Sequence, residues 1–190
     1  MFEKICTGKR GVNLEVLRST IELAVEIARE GREGRKVGTM FIMGDEENVL
    51  SNSRPLILDP LQGHSERLKQ IINPDMRETI KELSKLDGAF IVSNEGVVLS
   101  AARYINAHSK KVKLPLGLGS RHMAAASVTK ETGAVAIVVS ESSVVRIFDD
   151  GELIAEVIPE LWLLSRQSSH ITRPLVEEME EENIAVISKK

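Results

Sequence analysis

Three short apolar runs limit what this chain can fold into: Val37–Gly44 (VGTMFIMG), Leu86–Ser93 (LDGAFIVS) and Ala134–Ser140 (AVAIVVS). The first two read as buried strands, and the third is apolar without a break. A strand that is apolar on both faces must be covered on both faces. A sheet built on these runs therefore needs helices on either side. The pattern supplies them. Leu14, Leu17, Ile21, Ala24, Val25 and Ala28 recur at helical spacing behind Asn13, a good N-cap, and Gly31 and Gly34 end the run. Asn73-Pro74 reads as a cap and first-turn pair opening a second helix through Met76, Ile80 and Leu83. A third starts at Ser120, runs through the Ala-rich MAAASVTKE, and has Gly133 at its C′ position. A short helix is also predicted over Ser65–Ile72.

The remaining signals add antiparallel pieces. Asn94-Glu95-Gly96 is a hairpin turn with Val97–Ala101 as its return strand. Val144–Phe148 and Glu152–Ile158 flank the tight turn Asp149-Asp150-Gly151. Ser51–His64 and Ala102–Leu116 read as long connections, Leu161–Leu164 as a short helix, and the acidic stretch from Glu177 as a solvated helical end. The expected fold class is α/β (α+β): a mixed parallel and antiparallel central sheet flanked by helices.

Composition excludes several functions. A chain of 190 residues fits one domain. Its net charge of −3 argues against nucleic acid as the main partner. The single Cys6 rules out an internal disulfide and fits a reducing compartment. No apolar run approaches the ~20 residues of a membrane span, and the N-terminus lacks a signal-peptide core. The expectation is a soluble, cytoplasmic protein with no membrane and no nucleic-acid partner.

Chemistry concentrates between Lys113 and Thr132 (KLPLGLGSRHMAAASVTKET). Gly117 and Gly119 allow close backbone approach, and a helix start at Ser120 presents free N–H groups to an anion. Arg121 adds a planar fork for phosphate, and His122 a donor that can charge near neutral pH. The same residues also fit an ordinary capped helix with a surface Arg and His. Two acids could join them: Asp87, at the start of the second apolar run, and Glu141, just after Ser140 at the end of the third. Such carboxylates suit Mg²⁺ or Mn²⁺ together with phosphate oxygens, although capping a turn is, on spacing alone, the commoner role for an acid placed like Asp87. His64, His108 and His170 are isolated and lack zinc-site spacing. Neither a P-loop nor a dinucleotide fingerprint is present.

Asp87-Gly88-Ala89 followed by Ser120-Arg121-His122 resembles the paired DGA and (T/S)RH motifs of the diadenylate cyclase family. Further segments follow in the same order: Gly38-Thr39, Gly44-Asp45, Pro60-Leu61-Gln62-Gly63-His64, Arg103-Tyr104-Ile105 and Val139-Ser140-Glu141. The likeness covers roughly Val37 to Ile158 and has the flavour of the soluble archaeal-type members. It implies a cyclase-domain fold over 37–165, with 1–36 as a helical segment packed on it and 166–190 as a polar tail. It also implies condensation of two ATP into cyclic di-AMP between two face-to-face subunits. By motif, Asp87, Arg121 and His122 would be catalytic. The nucleotide would touch Gly88, Ala89, Ile105, Ser120, Arg121, His122, Met123, Ala124, Ser140 and Glu141. Asp87 and Glu141 would hold Mn²⁺ or Mg²⁺. The family often carries a second Arg where this chain has Met123. One phosphate contact is then missing or supplied elsewhere, and a nucleotide-binding regulatory module without turnover is the alternative reading.

Overall fold

The computed structural model describes residues 10–106, 112–159, 174–179 and 184–189. The expected mixed sheet is present. Helix α1 (Leu14–Glu30) precedes β1 (Thr39–Met43), α2 (Glu46–Ser51), β2 (Ser53–Pro55), α3 (Pro74–Leu83), β3 (Ala89–Val92) and β4 (Val98–Ile105). Helix α4 (Ser120–Glu131) then leads into β5 (Val135–Val139), β6 (Val145–Asp149), β7 (Glu152–Ile158), β8 (Pro174–Met179) and β9 (Ile184–Lys189). The strands lie in the order β2-β4-β3-β1-β5-β6-β7-β9-β8. Strands β1 and β3 pair in parallel, and the other neighbours pair antiparallel.

The apolar runs form the middle of this sheet, and every residue of β1, β3 and β5 is buried. Alternation divides β1 between two layers. Phe41 and Met43 pack with α1, whereas Met40 and Ile42 pack with Ala125, Ala126 and Val128 of α4. Asn13 caps α1, accepting from the N–H of Glu15 at 2.9 Å, and Asn73 caps α3, accepting from Asp75 N–H at 2.9 Å.

Several local expectations change. Ser65–Ile72 makes turns instead of a helix, because Gln70 bridges Val97 and Ile71 N–H donates to Gly96 O (2.8 Å), drawing the segment to the hairpin. Strand β3 begins at Ala89, so Asp87 stands in a bend before it. The return strand β4 extends to Ile105. Gly119, not Ser120, is the N-cap of α4, with no side-chain cap bond. At its other end, Thr132 is the extended C-cap, and Gly133 has no positive φ but donates to Asp45 Oδ2 at 2.7 Å. The expected helical end from Glu177 is replaced by β8 and β9, which continue the sheet beyond β7. The short helix expected at Leu161–Leu164 lies outside the described residues.

Candidate active site

The topology brings four chain ends to one rim of the sheet. Strand β1 starts there after Gly38, and β3, its parallel neighbour, starts there after Asp87 and Gly88. Strand β5 runs antiparallel to β1 and so ends there, at Ser140 and Glu141. Helix α4 begins over the same rim. Arg121, in its first turn, joins these ends. Arg121 Nη2 is 3.1 Å from Asp87 Oδ1, and Nη1 is 3.5 Å from Glu141 Oε1. The guanidinium is about one-third exposed, whereas Asp87 (83%) and Glu141 (70%) stand open to solvent. The arrangement holds one cation between two accessible acids.

Glycines make this closeness possible. A Cβ on Gly38 would overlap Arg121 Nη1 and lie 3.3 Å from Glu141 Cγ. Gly38 is thus a site residue that motif reading took only as part of a strand. Gly88 has φ +105°, and a Cβ there would come within 2.7 Å of the β4 backbone at Ala102 and Arg103. Its necessity lies in seating the Asp87 bend against β4.

The other expected site residues divide into groups. Ser120 is exposed at the start of α4. Ser140 shapes the β5–β6 turn, its hydroxyl 3.0 Å from Ser142 Oγ. Met123 and Ala124 are partly buried against the layer beneath α4. Ala89 and Ile105 are buried in that layer, at 0% and 3% exposure. His122 also turns inward. Successive helix residues point about 100° apart, and here Arg121 faces the rim while His122 faces the sheet. The His122 ring meets Phe148 edge-on at 6.0 Å, and its Nε2 lies 3.4 Å from Arg146 Nη1. Arg146 in turn donates to Glu156 Oε1 at 2.8 Å, with both side chains buried. A guanidinium only donates, which assigns the acceptor role to His122 Nε2 and the proton to Nδ1.

Further out, Arg103 fastens β2 to β4, donating to Ser53 Oγ (2.8 Å), Ser53 O (3.0 Å) and Leu50 O (3.1 Å). Asp59 pins the long loop, accepting from Ser100 Oγ at 2.5 Å and from Leu61 N–H at 2.9 Å. The expected metal ligands can be tested against this geometry. Among the described residues, no three His, Cys, Asp or Glu side chains converge on a metal position. Asp87 and Glu141 are two exposed oxygen donors, a set that fits a hard cation completing its shell with water and phosphate oxygens.

A family model described as DAC, DisA bacterial checkpoint controller nucleotide-binding, matches residues 26–153. The chain belongs to the diadenylate cyclase family. It is 51% identical over 144 residues to a diadenylate cyclase of Methanocaldococcus jannaschii, covering 75% of this chain and 45% of that protein. It is 40% identical over 148 residues to one of Haloferax volcanii, covering 77% of this chain and 54% of that protein. The chain thus spans about half the length of these curated relatives. A crystal structure titled as a hypothetical membrane spanning protein from Bacillus cereus shares the fold, with TM-score 0.54 and 21% identity over 73% of this chain and 62% of that one. No helix among the described residues of the present cyclase-family chain is long and apolar enough to cross a membrane.

Proposed function

We propose that this chain condenses two ATP molecules into cyclic di-AMP and releases two pyrophosphates. The observation that carries the reading is Arg121, held over Gly38 between Asp87 and Glu141 where α4 begins. Each new bond joins a ribose 3′-oxygen to the α-phosphorus of the other nucleotide, and the bond from that phosphorus to the pyrophosphate oxygen breaks. Such a reaction needs positioning and neutralisation of phosphate charge. The Arg121 fork and the first-turn N–H groups of α4 supply donors. Asp87, within reach of the incoming nucleotide on the open rim, would accept the hydroxyl proton.

Asp87 and Glu141 would hold Mg²⁺ or Mn²⁺, which when bound draws charge from the phosphate oxygens. Phosphate and carboxylate compete for the same guanidinium, so an arriving triphosphate releases Asp87 and Glu141 from Arg121. His122, on this reading, fixes the first turn of α4 from below through Arg146 and Glu156. The site lies on an open rim, and joining two nucleotides requires two such rims facing each other, so the working unit is a dimer of this chain. An ATP substrate and a lone cysteine agree with a cytoplasmic setting.

Incubation with ATP and each divalent metal, with mass analysis of the product, tests the reading. Cyclic di-AMP is expected, and Asp87→Asn should abolish it while leaving the melting temperature within about 2 °C. Stabilisation by ATP with no product would select the non-catalytic module instead.

A further inference from the structure

Arg121 and Glu141 are also one wall of a second feature, an open recess of about 280 Å³. Its other walls are the α1–β1 connection from Arg32 to Gly38 and the α3–β3 connection at Ser84 and Lys85. Five basic side chains, Arg32, Arg35, Lys36, Lys85 and Arg121, line it against two acids, Glu33 and Glu141. That excess stands out in a chain of net charge −3. Some of the basic groups are already engaged. Arg32 pairs with Glu82, and Lys85 bridges Glu33 and Glu82, both at 3.1 Å. Arg35 and Lys36 have no carboxylate partner among the described residues, and Lys36 Nζ has only a long contact, 3.4 Å, to Ala28 O.

The segment carrying these two is a shaped turn. Arg32 and Arg35 exchange both backbone hydrogen bonds, at 2.8 and 2.9 Å. The two residues between them, Glu33 (φ 51°) and Gly34 (φ 74°), are both left-handed, as in a two-residue hairpin turn. Gly31 lets the turn close, because a Cβ there would overlap Arg35 O. A non-glycine residue held at positive φ costs free energy that the surrounding structure must offset. This turn sets Arg35 and Lys36 beside Arg121. The recess lies at the small end of ligand-pocket volumes, roughly 300–1,000 Å³, which suits a small anion better than a whole nucleotide.

We propose that this recess binds the diphosphate end of the nucleotide, the β- and γ-phosphates that depart as pyrophosphate, with Arg35 and Lys36 as contacts beyond Arg121. The inference rests on the cyclase reading and adds a leaving-group subsite to it. When the α-phosphorus bond breaks, the electron pair stays on the pyrophosphate oxygen, and cations placed there stabilise the growing charge.

The test is the double variant Arg35→Gln/Lys36→Gln, whose side chains are exposed, measured for melting temperature, pyrophosphate binding by calorimetry, and turnover. An unchanged melting temperature, affinity for inorganic pyrophosphate at least about tenfold weaker, and KM for ATP raised by a similar factor are expected. Affinity for cyclic di-AMP, which lacks these phosphates, should stay as in the wild type. Arg35→Lys should retain most of the pyrophosphate affinity. Equal pyrophosphate affinity in wild type and double variant, or none in the wild type, overturns the subsite. Pyrophosphate binding that the variant loses, in a protein making no cyclic di-AMP, keeps the recess and sinks the cyclase reading. Product formation with unaltered KM does the reverse.

Discussion

Arg121 shows how much one residue does at the rim. It is the common partner of two acids that flank different strands, and its guanidinium lies where Gly38 has no side chain. Arg121→Lys keeps a charge but loses the planar fork. It should lower kcat/KM for ATP by about 10²–10³, the usual loss when a transition-state donor is removed. Gly38→Ala changes no charge, yet its methyl group would displace Arg121 from the space it occupies. That variant should lose at least about tenfold in turnover while remaining folded by circular dichroism. Full activity in Gly38→Ala would mean that Arg121 does its work from another position. His122 teaches the opposite lesson. Its place beside Arg121 in sequence suggested a shared grip on phosphate, but adjacency along a helix separates side chains in space. Only the position of the sheet relative to α4 decides which of the two faces inward.

At the scale of elements, helices α1, α3 and α4 and the central strands were legible because long periodic or continuously apolar segments constrain themselves. Asn13 and Asn73 cap where capping chemistry places them. The misses share a cause. Ser65–Ile72 had helical propensity but was claimed by backbone bonds to a hairpin far away in sequence. Strand β2 is three residues long and contains Pro55, so no local signal could reveal it. The acidic stretch from Glu177 has charges that suit a helix, yet Glu177–Met179 pair with β9, and β9 is held in turn by its non-local pairing with β7. One clamp between elements yields a pH prediction. Lys81 of α3 sits 3.2 Å from both Glu26 and Glu30 of α1 and 3.0 Å from Glu78. Burial, the largest influence, depresses its pKa, but hydrogen bonds to Glu78, Glu26 and Glu30 together outweigh it and raise the value above that of a free lysine. Stability from this clamp is therefore complete below the unfolded pKa near 10.4 and fades as pH rises through the higher folded one. Lys81→Met should cost about 1–2 kcal/mol between pH 7 and 9, and the difference should shrink above about pH 10.5. Denaturant melts across that range check it, and a gap that stays constant would remove the clamp from the account.

For the whole molecule, the candidate site follows from strand order. Because β1 pairs in parallel with β3 and antiparallel with β5, the starts of two strands and the end of the third share one rim. The sequence suggested that Asp87 and Glu141 could join the start of α4 but not the strand order that brings them there, and it marked Gly38 only as the lead-in to a strand. If two rims must meet to join two nucleotides, specific activity should fall on dilution through the dimer dissociation range while ATP binding per chain persists. A specific activity that stays flat in a protein monomeric by light scattering would contradict the two-chain arrangement.

Gly38, Asp87, Arg121 and Glu141 are far apart along the polypeptide and adjacent only through the closed middle of the sheet. During synthesis, then, the complete charge cluster cannot exist before β5 has emerged. Glu141 leaves the ribosome last of the four, and β5 must pair with β1 before it reaches Arg121. The full set of contacts is thereby reserved for a chain whose central strands have come together.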